Sequence, residues 1–485
     1  MTSTVDHSSA ESARQHYGIT FAVLAISGAA YAMLQSAVAP ALPDIQAELH
    51  ASAAATAWLF TGYLLSASVL TPIVGRLGDM FGKERTLVLT MSTLAAGTLL
   101  AALANSIAVL IAARVIQGAG GAIFPLAFGI IRDEFPREKA AQGIALISAI
   151  LGIGGGIGII LAGPIISAFD FHWLFWFPLI VIVGATVATV FFVPESPVKS
   201  PGRVDFRGAL LLSTWLVLLL IGITQTSKWG WDDARVWGLI AAAAAVMAVW
   251  VRVEARTPEP LVDMAMMRIR KVWTVNAAAF LVGAGMYSSF ILIPEFTEMP
   301  ASTDYGYGSS VTQAGLFLLP ATVMMMLVSP IGGWLATRVG SRVILVTGCL
   351  LTTASFTLMA AAHAHQADIY VATTLMGAGI GLAFASLANL IVEAVPPRQT
   401  AVATGMNTVM RSLGGSVGGQ VGASLIAGTL LASGLPAESG FTLAFSFAAG
   451  ACLLAALASL SVPKEGPRSS GGRVLSRQGT PPPFR

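Results

Sequence analysis

This sequence has very little charge: Asp, Glu, Lys and Arg make up only 11% of its 485 residues, against about a quarter in a soluble chain of that size. That excludes an ordinary water-soluble globule. Cysteine is nearly missing, and Cys349 and Cys452 both fall inside apolar runs as small fillers, so neither a disulfide nor a metal site is suggested. His172, His363 and His365 are not accompanied by a His-x-x-x-His or Gly-x-Ser-x-Gly arrangement. An integral-membrane enzyme would need such a cluster, so no catalytic site and no cofactor are expected. Walker loops and a phosphate cradle are missing, and ATP is not expected to drive the protein. There is no basic stripe with interleaved aromatics, so nucleic acid is set aside as a partner despite a net charge of +3. No basic flank with a small-residue cleavage site precedes the first apolar run, which is long enough to stay as an anchor.

What is present is hydrophobic length. The chain is 55% hydrophobic, and fourteen apolar runs of roughly 20 residues, the length that crosses a bilayer core, lie between residues 19 and 462. Helices are the expected spanning element, because each satisfies its own backbone in lipid. The runs are too long and uniform for barrel strands. Cations such as Arg76, Lys83, Arg85, Arg132, Lys139, Lys199, Arg252, Lys271 and Arg342 gather in alternate connections, and only Lys228 and Arg235 fall in the others. This bias places both termini in the cytoplasm of a multi-pass protein of the inner or plasma membrane.

The skeleton of one connection recurs. Gly75, Leu77, Asp79 and Gly82 are echoed by Gly333, Leu335, Thr337 and Gly340, each time as a short glycine-bearing turn between two apolar runs. Such duplication is typical of secondary transporters. The matched turns follow the second and tenth runs, two more than a plain six-plus-six repeat allows. The surplus pair is assigned to 206–252, behind the proline-rich linker that begins at Pro194. The expected organisation is a cytoplasmic tail at 1–18, a six-helix bundle at 19–193, a linker with two inserted helices at 194–272, a second six-helix bundle at 273–462, and a disordered cytoplasmic tail at 463–485.

The first copy, continued by Lys83 and Arg85, resembles the signature loop of the major facilitator superfamily. Leu110-x-x-x-Arg114-x-x-Gln117-Gly118 in the fourth run is similar to that family's second motif. With fourteen runs, the chain resembles the fourteen-helix drug:proton antiporter branch, the multidrug-resistance type of efflux transporter. The resemblance implies an all-α membrane fold, with two six-helix bundles related by a pseudo-two-fold plus two inserted helices. It implies proton-coupled export of small amphipathic compounds by alternating access, with lipid, a small-molecule substrate and protons as partners and a monomeric state. It also implies that Asp79 meets the amino end of a helix near 401. A uniporter or uptake permease for an anionic or neutral metabolite is the alternative, and a non-transporting scaffold or sensor is the alternative of another class.

Two motifs depart from the family's pattern. Gly154 and Gly158 align with its antiporter motif, but Ile159 and Ala162 replace a proline and a glycine; Gly163 and Pro164 follow. This glycine-rich helix serves either coupling or close packing. In the first run Leu34 stands where the branch carries Asp, and Ala39 where it carries Asn. No carboxylate falls near mid-membrane, which speaks against permanently cationic drugs as main substrates. Arg114, at membrane depth, ties helices through carbonyls or takes part in proton coupling. Glu295, just after Pro294, is the candidate proton carrier. Arg411 binds an anionic or acidic group, or else snorkels to a nearby helix end. Gln35, Asn276 and Asn407 line a cavity or bond between helices, and Met324, Met325 and Met326 suit an adaptable pocket or lipid contact.

Overall fold

The computed structural model describes residues 17–463 apart from 39, 40, 52, 197, 200–204, 432 and 434. Of the expected tails at 1–18 and 463–485, residues 1–16 and 464–485 lie outside the described residues, as does Ala39, while Tyr17 and Gly18 already belong to the first helix. The rest is helical, with one isolated bridge, Leu430 to Pro436. Fourteen long helices follow one another: α1 Tyr17–Ala37, α2 Ala53–Phe81, α3 Lys83–Ala102, α4 (Ile107–Gln117 and Ile123–Glu134, joined by the 3-10 turn Gly118–Ala122), α5 Arg137–Ala168, α6 Trp173–Phe192 and α7 Phe206–Thr224. Then come α8 Ala234–Glu254, α9 Arg270–Glu298, α10 (Val311–Phe317 and Leu319–Val339), α11 Ser341–Ala361, α12 Gln366–Ala394, α13 Thr400–Ala427 and α14 Glu438–Leu460. Thirteen of them are long and apolar enough to cross a membrane. The exception is α13, which six glycines make less apolar.

Helix boundaries differ from the sequence expectation at the repeated motif. Residues Gly75–Phe81 do not form a turn but complete α2, and Gly333–Val339 complete α10. The turns shrink to Gly82 (φ +117°) and Gly340 (φ +89°), in the region of φ that favours glycine. The reason is that Asp79 has its polar needs met while still helical, so the chain has no cause to leave the helix before Gly82. In the same way α9 continues through Pro294, and Glu295 is a helical residue one turn from its end.

Two hydrophobic cores organise the helices. One is built from α1–α6 around Tyr63, Phe124, Phe171 and Phe175, the other from α7–α14 around Phe296, Phe356, Phe441 and Phe445. The outer surface is apolar as well: Leu89, Val187, Phe191, Leu350 and Leu457 are exposed, as a lipid-facing perimeter requires. The inserted pair, α7 and α8, pack on one another, and α7 also touches α2 and α13.

Glycine sets the closest helix contacts, and it does so twice in matching places. A Cβ at Gly158 would stand 2.5 Å from the Met33 carbonyl and one at Gly154 2.8 Å from the Ala29 carbonyl, so α5 lies directly on α1. In the other core Gly414 and Gly418 bring α13 as close to Phe280 and Ala284 of α9. These pairs, α1 with α5 and α9 with α13, are related by the pseudo-two-fold of the fold. Gly158→Leu should therefore displace α1, at about 1–3 kcal/mol as overpacking, and lower the unfolding midpoint of the purified protein. Gly184→Leu, on a face of α6 with nothing within 4 Å, should leave that midpoint nearly unchanged.

Candidate functional site

The two cores meet along two seams, and Asp79 belongs to the first. Near the end of α2 its buried carboxylate accepts hydrogen bonds from the backbone N–H groups of Ala401 (3.3 Å) and Val402 (3.0 Å) at the start of α13. Those N–H groups have no partner within their own helix, and the helix dipole favours an anion there. Gly75 permits the approach, since a Cβ there would stand 2.8 Å from the Ala401 carbonyl. Lys83 is also buried, with Nζ 3.7 Å from Asp79 and 2.7 Å from Asp133. Asp133 in turn accepts from the Ser196 hydroxyl. Alongside, Arg132 donates to Thr400 Oγ1 (2.6 Å) and the Val395 carbonyl (2.9 Å). Leu77 is half-buried, and Arg85 is an exposed surface partner of Glu195 at 3.4 Å.

The second seam repeats the geometry without the charge. A Cβ at Gly333 of α10 would stand 2.5 Å from Ala145 Cβ of α5. Asn389 of α12 reaches across to the Ala141 carbonyl at 3.3 Å. Thr337, in the place of Asp79, only bonds back to the Trp334 carbonyl of its own helix.

Arg114 is fully buried in the first core. It donates to the carbonyls of Leu59 (3.2 Å) and Leu34 (3.4 Å) and to Gln117 Oε1 (2.8 Å), and it sits 4.2 Å over the Tyr63 ring. One guanidinium nitrogen, Nη2, has no partner. Gln117 donates onward to Thr98 at 3.3 Å. Gly118, at the start of the 3-10 turn of α4, lets α2 approach, since a Cβ there would stand 2.7 Å from the Ala67 backbone nitrogen.

Beyond the Asp79 seam, toward the opposite end of the molecule, the cores part around a cavity of about 530 Å³. Its walls come from the half of α2 farthest from Asp79 (Trp58 to Leu65), the later turns of α5, and Ser412 to Gln420 of α13. The lining is mostly apolar and includes Met325 and Phe384, with Gln35, Tyr287 and Gln420 among its polar groups. Met326 is exposed instead. Arg411 does not reach a helix end: it lies under the floor of this cavity, with its guanidinium 4.5 Å over the Phe384 ring. Asn276 and Asn407 bond to each other across α9 and α13 at 2.9 Å. Gly163 and Pro164 fall near the end of α5. Glu295 is half-buried and does not line the cavity.

A family model for the Major Facilitator Superfamily matches residues 24–419. The chain belongs to that superfamily. It is 29% identical over 408 residues to the tetracenomycin C resistance and export protein of Streptomyces glaucescens, covering 83% of this chain and 75% of that protein. It is 28% identical over 388 residues to multidrug resistance protein 3 of Bacillus subtilis, covering 78% and 74%. Among solved structures, the human organic anion transporter MFSD10 superposes with a TM-score of 0.62 over 91% of this chain and 98% of that one, at 16% identity. This facilitator is accordingly a multi-pass membrane transporter and not an enzyme.

Several residues of its site escape sequence reasoning. Asp133, Ser196 and Thr400 complete the buried network, yet each is one polar residue in a connection full of them. Tyr31, Tyr63 and Tyr287 surround the buried guanidiniums, and in sequence they look like ordinary aromatic filler. At Gly129 a Cβ would stand 2.6 Å from Lys83 Cδ, so this glycine leaves room on α4 for the lysine stem.

Asp79→Asn tests the seam. It removes the charge that the start of α13 favours, an interaction of about 0.3–1 kcal/mol when exposed and up to about 2 when partly buried. Normal expression, reduced transport and faster thiol labelling of cysteines placed at 401–405 are expected. Unchanged labelling and transport would reduce Asp79 to a packing residue.

Proposed function

We propose that this facilitator exports small amphipathic compounds across the cell membrane by alternating access, coupled to protons, with the Asp79 end and both termini in the cytoplasm. The observation that carries the proposal is the asymmetry between the two ends. The cores are sealed at the Asp79 end and part around a drug-sized, largely apolar cavity at the other, within the 300–1,000 Å³ typical of ligand sites. Relatives named for multidrug resistance and for tetracenomycin C export support efflux as the direction. The distribution of cations between alternate connections supports the orientation. In this reading the protein works as a monomer in the bilayer, exchanging protons for substrate.

Glu295 is proposed as the proton carrier, since it is a half-buried carboxylate in a spanning helix next to Pro294. One observation favours a second reading, uncoupled uniport: among the described residues no Asp or Glu lines the cavity.

Proteoliposomes carrying a pH-sensitive dye separate the two. Coupled export requires that anionic, neutral or cationic aromatic substrates provoke proton flux, and that Glu295→Gln abolishes this flux while counterflow persists. Substrate movement without any proton flux in the unaltered protein would select uniport. Orientation is checked independently: a cysteine at Lys228 should react with an impermeant reagent from outside the cell, and one at Arg342 should not.

A further inference from the structure

The feature that export by alternating access leaves unused is a buried positive charge at the centre of the molecule. Arg411 lies eleven residues into α13, about 16 Å from its start at 1.5 Å per residue, where the two cores face one another. Its guanidinium covers the Phe384 ring and lines the same chamber as Tyr287, while the buried Nε has no partner. A chamber of about 30 Å³ adjoins it, large enough for a water or a carboxylate-sized group. Gln35, Leu64, Leu151, Tyr287 and Ser412 line both this chamber and the large cavity, so the chamber is the cavity's floor. Tyr31 lines its far side. A second space, of about 20 Å³, flanks Arg411 toward Asn407 and Phe128. Among the described residues no Asp or Glu lines any of the three. A guanidinium held in so dry a place is costly unless an anion meets it, and here the protein supplies a ring face and a hydroxyl but no carboxylate.

We infer that Arg411, with Tyr287 and Gln35 at its rim, forms an anion subsite in the cavity floor that takes the carboxylate of an amphipathic aromatic acid. The inference rests on the export reading above and narrows its substrate class. The apolar body of the acid fills the larger cavity against Trp58, Met325 and Phe384, and its charged end reaches past the shared wall at Tyr287 and Gln35 to Arg411. The unpaired Nε shows that the protein leaves the guanidinium incompletely satisfied, and a guanidinium–carboxylate pair is the strongest hydrogen-bonded contact available there. The same charge disfavours cationic compounds of equal size.

The test uses the full chain in lipid nanodiscs and three matched probes, 2-naphthoate, 2-naphthamide and 2-naphthylmethylammonium, titrated by calorimetry. Naphthoate should bind at least about ten-fold tighter than the amide, the scale of one charge-assisted hydrogen bond, and the ammonium weakest of all. Arg411→Gln should erase the preference for naphthoate, and Arg411→Lys should restore part of it, which a purely structural arginine would not do. Tyr287→Phe should reduce it a few-fold. If Arg411→Gln does not yield folded protein, the unaltered protein and the lysine variant decide. Equal or tighter binding of the amide or the ammonium by the unaltered protein overturns the subsite, as does a naphthoate preference that survives in Arg411→Gln. Movement of the amide or the ammonium across proteoliposomes without any preference for naphthoate would overturn the subsite and leave the export reading standing. Movement of none of the three, nor of any other aromatic compound, would instead remove the export reading.

Discussion

A carboxylate taken out of water must be met by hydrogen-bond donors, and Asp79 finds its donors at the start of a helix that belongs to the other core. Much of the local sequence follows from that need. Gly75 has no Cβ because the Ala401 carbonyl occupies the space, and Lys83 is drawn inside to share charge with Asp79 and Asp133. Arg132 then secures the same helix start through Thr400 and Val395. The motif is thus less a loop than one half of an interface. Its charge is confined to that interface, since the equivalent place on the second seam holds Thr337, which bonds only within its own helix.

The remaining contacts between helices depend on side chains that are not there. In lipid no hydrophobic effect drives one apolar helix against another, so close backbone approach and dispersion must serve. Gly154 and Gly158 turn one face of α5 onto α1, while Gly152 and Gly156 turn another toward Met325 and Thr322 of α10. A single helix therefore contacts its own core on one face and the opposite core on another. Gly414 and Gly418 against α9 and Gly405 against Pro72 of α2 give α13 the same dual position. Rigid helices with smooth faces suit the sliding that the alternating access proposed above requires, whereas bulky interlocking side chains would resist it.

Fold and site were not equally legible in the sequence. The number of long helices and the family were readable, because apolar length and the spacing of Gly75, Asp79 and Arg114 are local properties of the chain. Helix ends at the motif were not: the apolar run stops before Gly75, but α2 continues to Phe81, since burial against α13 substitutes for lipid in stabilising it. The position of Arg411 was equally hidden. The sequence left it either meeting an anionic group or snorkelling to a nearby helix end, and only the packing of α13 against α2 and α9 shows that its head lies under a cavity floor. Asn276 and Asn407 were assigned to one polar set without a partner named, and their mutual bond depends on the register of α9 against α13, which no local pattern encodes.

Magnitudes then decide how the sealed end can work. A carboxylate at a helix start contributes at most about 2 kcal/mol, less than about thirty-fold in an equilibrium at 1.4 kcal/mol per tenfold. Such a contact biases the molecule toward the state with a closed Asp79 end, but it does not lock it there. Arg132 and the packing at Gly75 add to the bias and share its character, because each is made only when α13 lies against α2 and α4. Charge in the interior is arranged to match. Arg114 and Arg411 lie near the centre, whereas Asp79, Asp133, Glu295 and Glu393 lie toward helix ends. A ligand that binds at the centre therefore need not break a contact at the sealed end in order to bind. It need only favour the packing in which that end is open, and a few kcal/mol of differential binding is enough to offset a seam of this strength.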